Sequence, residues 1–349
     1  MADSRASTMT MNAIKVPDHT TIHTPPKSTP IPPASETSYY PPTSGLLSHV
    51  PPSWIPYGEL MRITKTTGIW VIYLPHLFGT LYVAASGTTH TSATSILHTN
   101  LTLFIYAFVL RSAGCAWNDI QDVEFDRQVR RCRNRPMARG ALTMRQGYLF
   151  TGALTLVCGM ILLALPALCC VVAVPSWGLA VAYPFAKRVT DFPQVVLGVQ
   201  VAIGVGMGMA AVDANALYEA RYAREAVVAF FMANVVWTLV YDFVYAQMDL
   251  EDDVKAGVRS MAVRFQDRPK VLLSVMVFAL ISLLGLTGYW QGFGIAYYGV
   301  ACGGILASML WMLVTIDLRS QADCRWWFTE CTRLVGWSIS SGLALDAFL

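Results

Sequence analysis

Charge is scarce in this sequence. Only 13% of its 349 residues are Asp, Glu, Lys or Arg, while 54% are hydrophobic; an ordinary soluble domain carries roughly 25% charged residues. That shortage argues against a chain whose surface faces water and for one that lies in lipid. The alternating pattern of a membrane barrel strand is also missing. The eight cysteines sit mainly in or beside apolar runs without paired metal-binding spacing, so they read as small core residues, Cys169 and Cys170 included. Proline is sparse after residue 56: 11 of the 18 fall in residues 1–56, among many Ser and Thr. That segment reads as a disordered tail. It lacks the apolar run of a signal peptide, and Asp3 and Asp18 interrupt the basic pattern of a mitochondrial presequence.

Long hydrophobic runs supply what remains. Stretches near 69–86, 98–117, 146–165, 167–185, 192–212, 226–246, 270–290, 293–316 and 327–348 approach the 20 or so residues that cross about 30 Å of hydrocarbon. Backbone groups in lipid must bond within their own segment, so these runs predict helices and the fold class is an all-α bundle. Residues 57–349 read as one membrane domain. The formal net charge of +3 says little, and no nucleic-acid partner is expected. Placement says more. Lys and Arg crowd the segments after the second, fourth and sixth runs, while the intervening loops are nearly bare, apart from Arg221 and Arg224. By the positive-inside bias the N-terminus and the basic loops face the cytosol. Asn100, in "NLT" on the opposite side, matches a glycosylation acceptor pattern.

The second run ends in "NDIQDVEFD", Asn118 to Asp126, with four carboxylates. On a continuing helix Asn118, Asp122 and Asp126 recur every four residues and Asp119 precedes Asp122 by three, which puts all four on one face. Uncompensated acids so spaced repel, and at a helix C-terminus they also oppose the macrodipole. Something positive must sit there, either loop arginines or a divalent cation; carboxylate and amide oxygens suit Mg²⁺. The sixth run ends in "YDFVYAQMDLEDD", where Asp242, Tyr245, Asp249 and Asp253 share a stripe. Neither cluster has the glycine-centred loop of an EF-hand. Paired acidic clusters with neighbouring cations suit an allylic diphosphate bridged by Mg²⁺.

These residues resemble the UbiA superfamily of intramembrane prenyltransferases. "NDIQDVEFD" matches its NDxxDxxxD motif, and "YAQMDLEDDVKAGVRS" its second motif. "RCRNRPMARG", "YPFAKRVTDFPQVVLG" and the opening "MRITKTTGIW" are similar too. The resemblance runs from about residue 57 to the end. It departs at Thr66, where many relatives have proline, and at Gln266, where glycine is usual. It implies a nine-helix bundle around a central cavity capped by the two acidic loops. Within the family the chain looks most like fungal enzymes that attach farnesyl to an aromatic polyketide in meroterpenoid synthesis.

On that resemblance, Asn118, Asp119, Asp122, Asp126, Asp249 and Asp253 are the expected Mg²⁺ set, with Asp242 in support. Asp122, Asp126, Asp249 and Asp253 would carry the catalysis. Arg62, Lys65, Arg131, Arg135, Lys187, Arg188, Lys255 and Arg259 are candidates for the remaining diphosphate charge, and Tyr183, Tyr241 and Tyr245 for sheltering an allylic cation. The expected partners are a prenyl diphosphate donor, an aromatic or polyketide acceptor and the bilayer, in the endoplasmic reticulum or a related endomembrane with the site toward the cytosol. Two rivals are a 4-hydroxybenzoate polyprenyltransferase of ubiquinone synthesis and a cation-coupled transporter. The latter is disfavoured because the acids lie at helix ends rather than mid-membrane.

Overall fold

The computed structural model describes residues 39–87, 92–218 and 222–348. Most of the expected 1–56 tail lies outside them. The compact unit begins at Pro41, and Leu46–His49 form a 3-10 turn whose buried Leu47 lies over Gly58. Folded chain therefore starts earlier than the boundary expected at residue 56, because Leu47 has an apolar surface to cover.

Every regular element among the described residues is helical. In order they are α1 (Ile55–Leu60), α2 (Thr67–Ala85), α3 (Ala93–Gln121), α4 (Val123–Asp126), α5 (Met144–Leu162), α6 (Ala167–Val189), α7 (Pro193–Val212), α8 (Arg224–Ala246), α9 (Leu250–Ala256), α10 (Met261–Arg264), α11 (Pro269–Gln291), α12 (Gly303–Thr315) and α13 (Gln321–Phe348). A π-helical stretch, Tyr297–Cys302, leads into α12. Of the nine crossings expected, seven are carried by helices long and apolar enough by themselves: α2, α3, α6, α7, α8 with its continuation to Ala256, α11 and Tyr297–Thr315. The helices α5 and α13 are also long, but they carry more polar residues, such as Arg145 and Gln146 or Asp323 and Arg325.

Two kinds of packing hold the bundle. Where α2 crosses α7 the backbones touch: a Cβ on Gly79 would lie 2.0 Å from the Val205 carbonyl oxygen, and one on Gly208 2.0 Å from that of His76. Small residues permit such approach in lipid, where burying apolar surface gives no net drive. Beside it, Phe78, Tyr82, Phe230 and Trp237 are fully buried, and Tyr82 stacks on Phe230 at 5.3 Å. These aromatics hold α2 against α8, whose C-terminal end leads into the second acidic cluster.

Asn100 corrects one expectation. It lies inside α3, is buried, and donates from Nδ2 to Thr80 Oγ1 and to the Ile96 carbonyl, both at 2.9 Å, while accepting from the Tyr73 hydroxyl at 3.3 Å. An amide tied between two packed helices has no room for a glycan. The "NLT" pattern serves helix packing.

Candidate active site

The helix α3 closes at Gln121. Asp122 caps it, its N–H bonding the Asn118 carbonyl at 2.9 Å, and α4 resumes at once, with Asp126 N–H on the Asp122 carbonyl at 2.8 Å. The near-helical path preserves the four-residue spacing and delivers Asp119, Asp122 and Asp126 to one buried place. Each finds a cation from a distant segment. Arg62 donates to Asp119 at 2.6 Å, and Arg135 reaches both Asp119 at 3.3 Å and Asp126 at 2.9 Å. Lys187, from the end of α6, donates to Asp122 at 3.0 Å. Basic side chains thus answer the repulsion expected from the acids. Even so, burial pushes the Asp126 carboxyl up to about 6, with Asp119 and Asp122 adding to the rise and Arg135 opposing it.

The second cluster forms where α8 tightens into a 3-10 turn, Gln247–Asp249, and continues as α9 up to Gly257, whose φ of 69° ends it in a left-handed cap. Arg131 donates to Asp249 from Nε at 2.9 Å and also from Nη2, and to the Tyr245 hydroxyl at 2.6 Å. Its guanidinium lies 4.8 Å from the Tyr245 ring centre. Asp253 feels the charges of Asp249, Lys187 and Arg131. Lys187 binds Asp122 and its charge also acts on Asp253.

The other candidates divide. Lys65 keeps an exposed surface, but the protein crowding its ammonium, then the like charges of Arg62, Arg131 and Arg135, lower it to about 8. Arg188 donates instead to the Gln121 carbonyl at 2.9 Å and faces the rings of Phe125 and Phe185. Arg259 pairs with Asp191 at 2.8 Å, outside both clusters, and Lys255 is exposed. These three candidates sit apart from the clusters: loop charges that follow a motif in sequence need not turn inward. Tyr183 carries Lys187 over its face at 5.3 Å, whereas Tyr241 packs edge-on to Trp237 and Phe328.

Sequence reasoning passed over two residues. Arg139 joins Glu59 of α1 at 2.6 Å. Arg111, within α3, donates to the carbonyls of Met61, Arg62 and Lys65 at 3.4, 3.2 and 3.0 Å. An arginine inside an apolar run was the available signal for the second.

Among the described residues no three His, Cys, Asp or Glu side chains converge as a ready metal cage. The donor set nevertheless fits a hard cation. Asn118 Oδ1, Asp119 Oδ2 and Asp122 Oδ1 are buried without hydrogen-bond partners. Each such oxygen costs roughly 1–3 kcal/mol. Three of them within five residues, all hard ligands, suit Mg²⁺.

Sequence comparison matches residues 72–339 to the UbiA prenyltransferase family. The chain belongs to that family. Its relatives include the prenyltransferase ascA of Acremonium egyptiacum, 38% identical over 80% of this chain and 82% of that one. The DMOA farnesyltransferase nvfB of Aspergillus novofumigatus is 36% identical over 77% and 84%. Among solved structures, an apo UbiA homologue from Aeropyrum pernix superposes with a TM-score of 0.62 at 20% identity, over 79% of this chain and 97% of that one. A UbiA homologue from Archaeoglobus fulgidus bound to DMAPP and Mg²⁺ gives 0.61 at 16%, over 84% and 99%. The protein is an integral membrane prenyltransferase with the UbiA fold.

Proposed function

We propose that this prenyltransferase moves a farnesyl group from its diphosphate to an aromatic carbon of a phenolic or polyketide acceptor, in fungal meroterpenoid synthesis. The observation that carries the proposal is a set of buried acids held by basic side chains from distant segments, with three carboxylate or amide oxygens left unpaired. The farnesyltransferase named among the relatives and the DMAPP and Mg²⁺ bound to the Archaeoglobus homologue support it.

Asn118, Asp122, Asp126, Asp249 and Asp253 would hold Mg²⁺, with Asp119 and Asp242 beside them. When bound, Mg²⁺ supplies the positive charge that makes diphosphate a competent leaving group. Arg62, Lys65, Arg131, Arg135 and Lys187 neutralise the remaining oxygens. The C1–O bond breaks with its electron pair going to the diphosphate. Tyr183 and Tyr245 would shelter the allylic cation with ring faces not taken by Lys187 and Arg131, an interaction of about 2 kcal/mol when desolvated. A π pair of the acceptor ring bonds to C1, and the proton lost from that carbon restores aromaticity. The apolar bundle keeps water from the cation.

Microsomes holding the protein, given farnesyl or geranylgeranyl diphosphate and a panel of phenolic acids, should form a Mg²⁺-dependent adduct heavier by one farnesyl group less a hydrogen. Product formation that survives EDTA, or a preference for longer donors, overturns the proposal; the second result favours the ubiquinone reading. The protein would reside in the endoplasmic reticulum or a related endomembrane with its site toward the cytosol, a reading the placement of the basic loops supports. A fluorescent fusion that labels mitochondria refutes that location.

A further inference from the structure

Arg62 is the one non-glycine residue with positive φ, 57°, among the described residues. Its place explains the angle. At the end of α1 the Ile63 N–H bonds the Gly58 carbonyl and the Arg62 N–H that of Glu59. That paired closure puts Arg62 at the left-handed position where glycine is usual, and a Cβ there costs roughly 1–2 kcal/mol. The strained turn also presents Arg62 to Asp119 and carries Lys65. Something must hold it.

Arg111 lies seven residues before Asn118, about 10 Å along α3 and on the same face. Its guanidinium makes the three bonds to the carbonyls of Met61, Arg62 and Lys65. These include carbonyls that the end of α1 leaves open, which favour a cation. Gly68, in the first turn of α2, faces the same group: a Cβ there would lie 2.5 Å from Arg111 Nη2 and 2.6 Å from its Nε. Gly68 has no positive φ, and alanine is the better helix former by about 1 kcal/mol. Space alone explains this glycine.

We propose that Arg111 is a positioning residue for the donor: its guanidinium clasps the strained turn from which Arg62 and Lys65 meet the diphosphate, and Gly68 leaves the room for that clasp. The proposal rests on the reading that Arg62 and Lys65 bind the donor. It gives α3 two tasks, ligands at its end and a clasp two turns deeper.

Detergent-solubilised full-length protein with Mg²⁺ provides the test, using farnesyl S-thiolodiphosphate, which resists ionisation, and farnesol as a tail-only probe. Arg111→Ala and Gly68→Ala should each weaken thiolodiphosphate binding at least tenfold and leave farnesol binding unchanged. Arg111→Lys, which keeps one donor group, should recover part of the loss. The double variant should bind no worse than Arg111→Ala, because without the guanidinium the added methyl meets nothing. Normal binding by Gly68→Ala, a double variant whose losses multiply, or farnesol binding that falls in step each overturns the clasp. Should Arg111→Ala not accumulate, Arg111→Lys and Gly68→Ala decide alone. Arg62→Ala separates the two readings. If it binds normally the donor seat is wrong and the clasp falls with it; if it binds weakly while Gly68→Ala binds normally, only the clasp is wrong.

Discussion

The side chains of Asp119, Asp122 and Asp126 are 1, 5 and 8% exposed, whereas those of Asp249 and Asp252 are 12 and 14% exposed and that of Glu251 79%. The difference follows from where the cations originate. Three separate segments send Arg62, Arg135 and Lys187 into the first cluster, while Arg131 alone pairs with Asp249 in the second and Arg130 beside it turns outward to Asp252. The first cluster is therefore fixed by the tertiary fold, and the second by one loop. Both should matter alike to chemistry and unequally to stability.

Asp122→Asn and Asp249→Asn test the first half of that statement. Each keeps side-chain shape and removes a charge, so each should reduce transfer by about two orders of magnitude or more, as for other groups that stabilise a developing negative charge. Because both would act on one diphosphate, the double variant should lose far less than the product of the two. Asp267→Asn, exposed and outside both clusters, serves as the control. Near-full activity of both variants at saturating Mg²⁺ and equal protein would falsify the two-cluster site.

Stability should part the two regions. Arg135→Ala leaves Asp119 and Asp126 facing each other without their common partner, and removing one side of a buried pair costs roughly 3–5 kcal/mol. Arg131→Ala strands Asp249 at a shallower position, so its cost should be smaller. A lower thermal midpoint for Arg135→Ala than for Arg131→Ala, with Mg²⁺ chelated, is expected. Equal midpoints would mean that depth does not distinguish the clusters.

How much of this was legible before the fold was known depended on range. The helices were readable because lipid demands about 20 apolar residues, and the acidic faces because four-residue spacing survives the small break at Asp122. The partners were not. Lys187 meets Asp122 across 65 positions and Arg131 meets Asp249 across 118, distances over which no periodicity speaks. The same limit explains Arg259, drawn to Asp191 by the packing of loops, and Asn100, whose local pattern suggested a surface and whose helix buries it. Arg111 interrupts an apolar run, and what it binds, the turn at Arg62, lies 46 to 50 positions away.

A third distinction is pH dependence. Lys65, lowered to about 8 by partial desolvation and nearby arginines, should regain its proton when diphosphate arrives, since a bound anion favours the charged form. Binding then takes up a proton above pH 8, so donor affinity should fall as pH rises past 8, by at most about tenfold per unit. Lys65→Arg, charged throughout, should flatten that profile between pH 7 and 9.5. An unchanged profile in Lys65→Arg would remove Lys65 from the donor site.

The smallest effect belongs to Arg130, next in the chain to Arg131 but turned outward. It is 61% exposed and pairs with Asp252 from Nε at 3.1 Å, while its own backbone N–H also bonds that carboxylate at 3.0 Å. Exposed pairs are screened by water and salt and contribute little, and the backbone bond survives truncation. Arg130→Ala should therefore keep activity within about twofold of the parent and show little sensitivity to added salt, while Arg131→Ala loses donor binding. Adjacent arginines so treated measure where the second cluster ends. A tenfold loss in Arg130→Ala would extend the site to Asp252 and erase the boundary drawn between the inward and outward faces of α9.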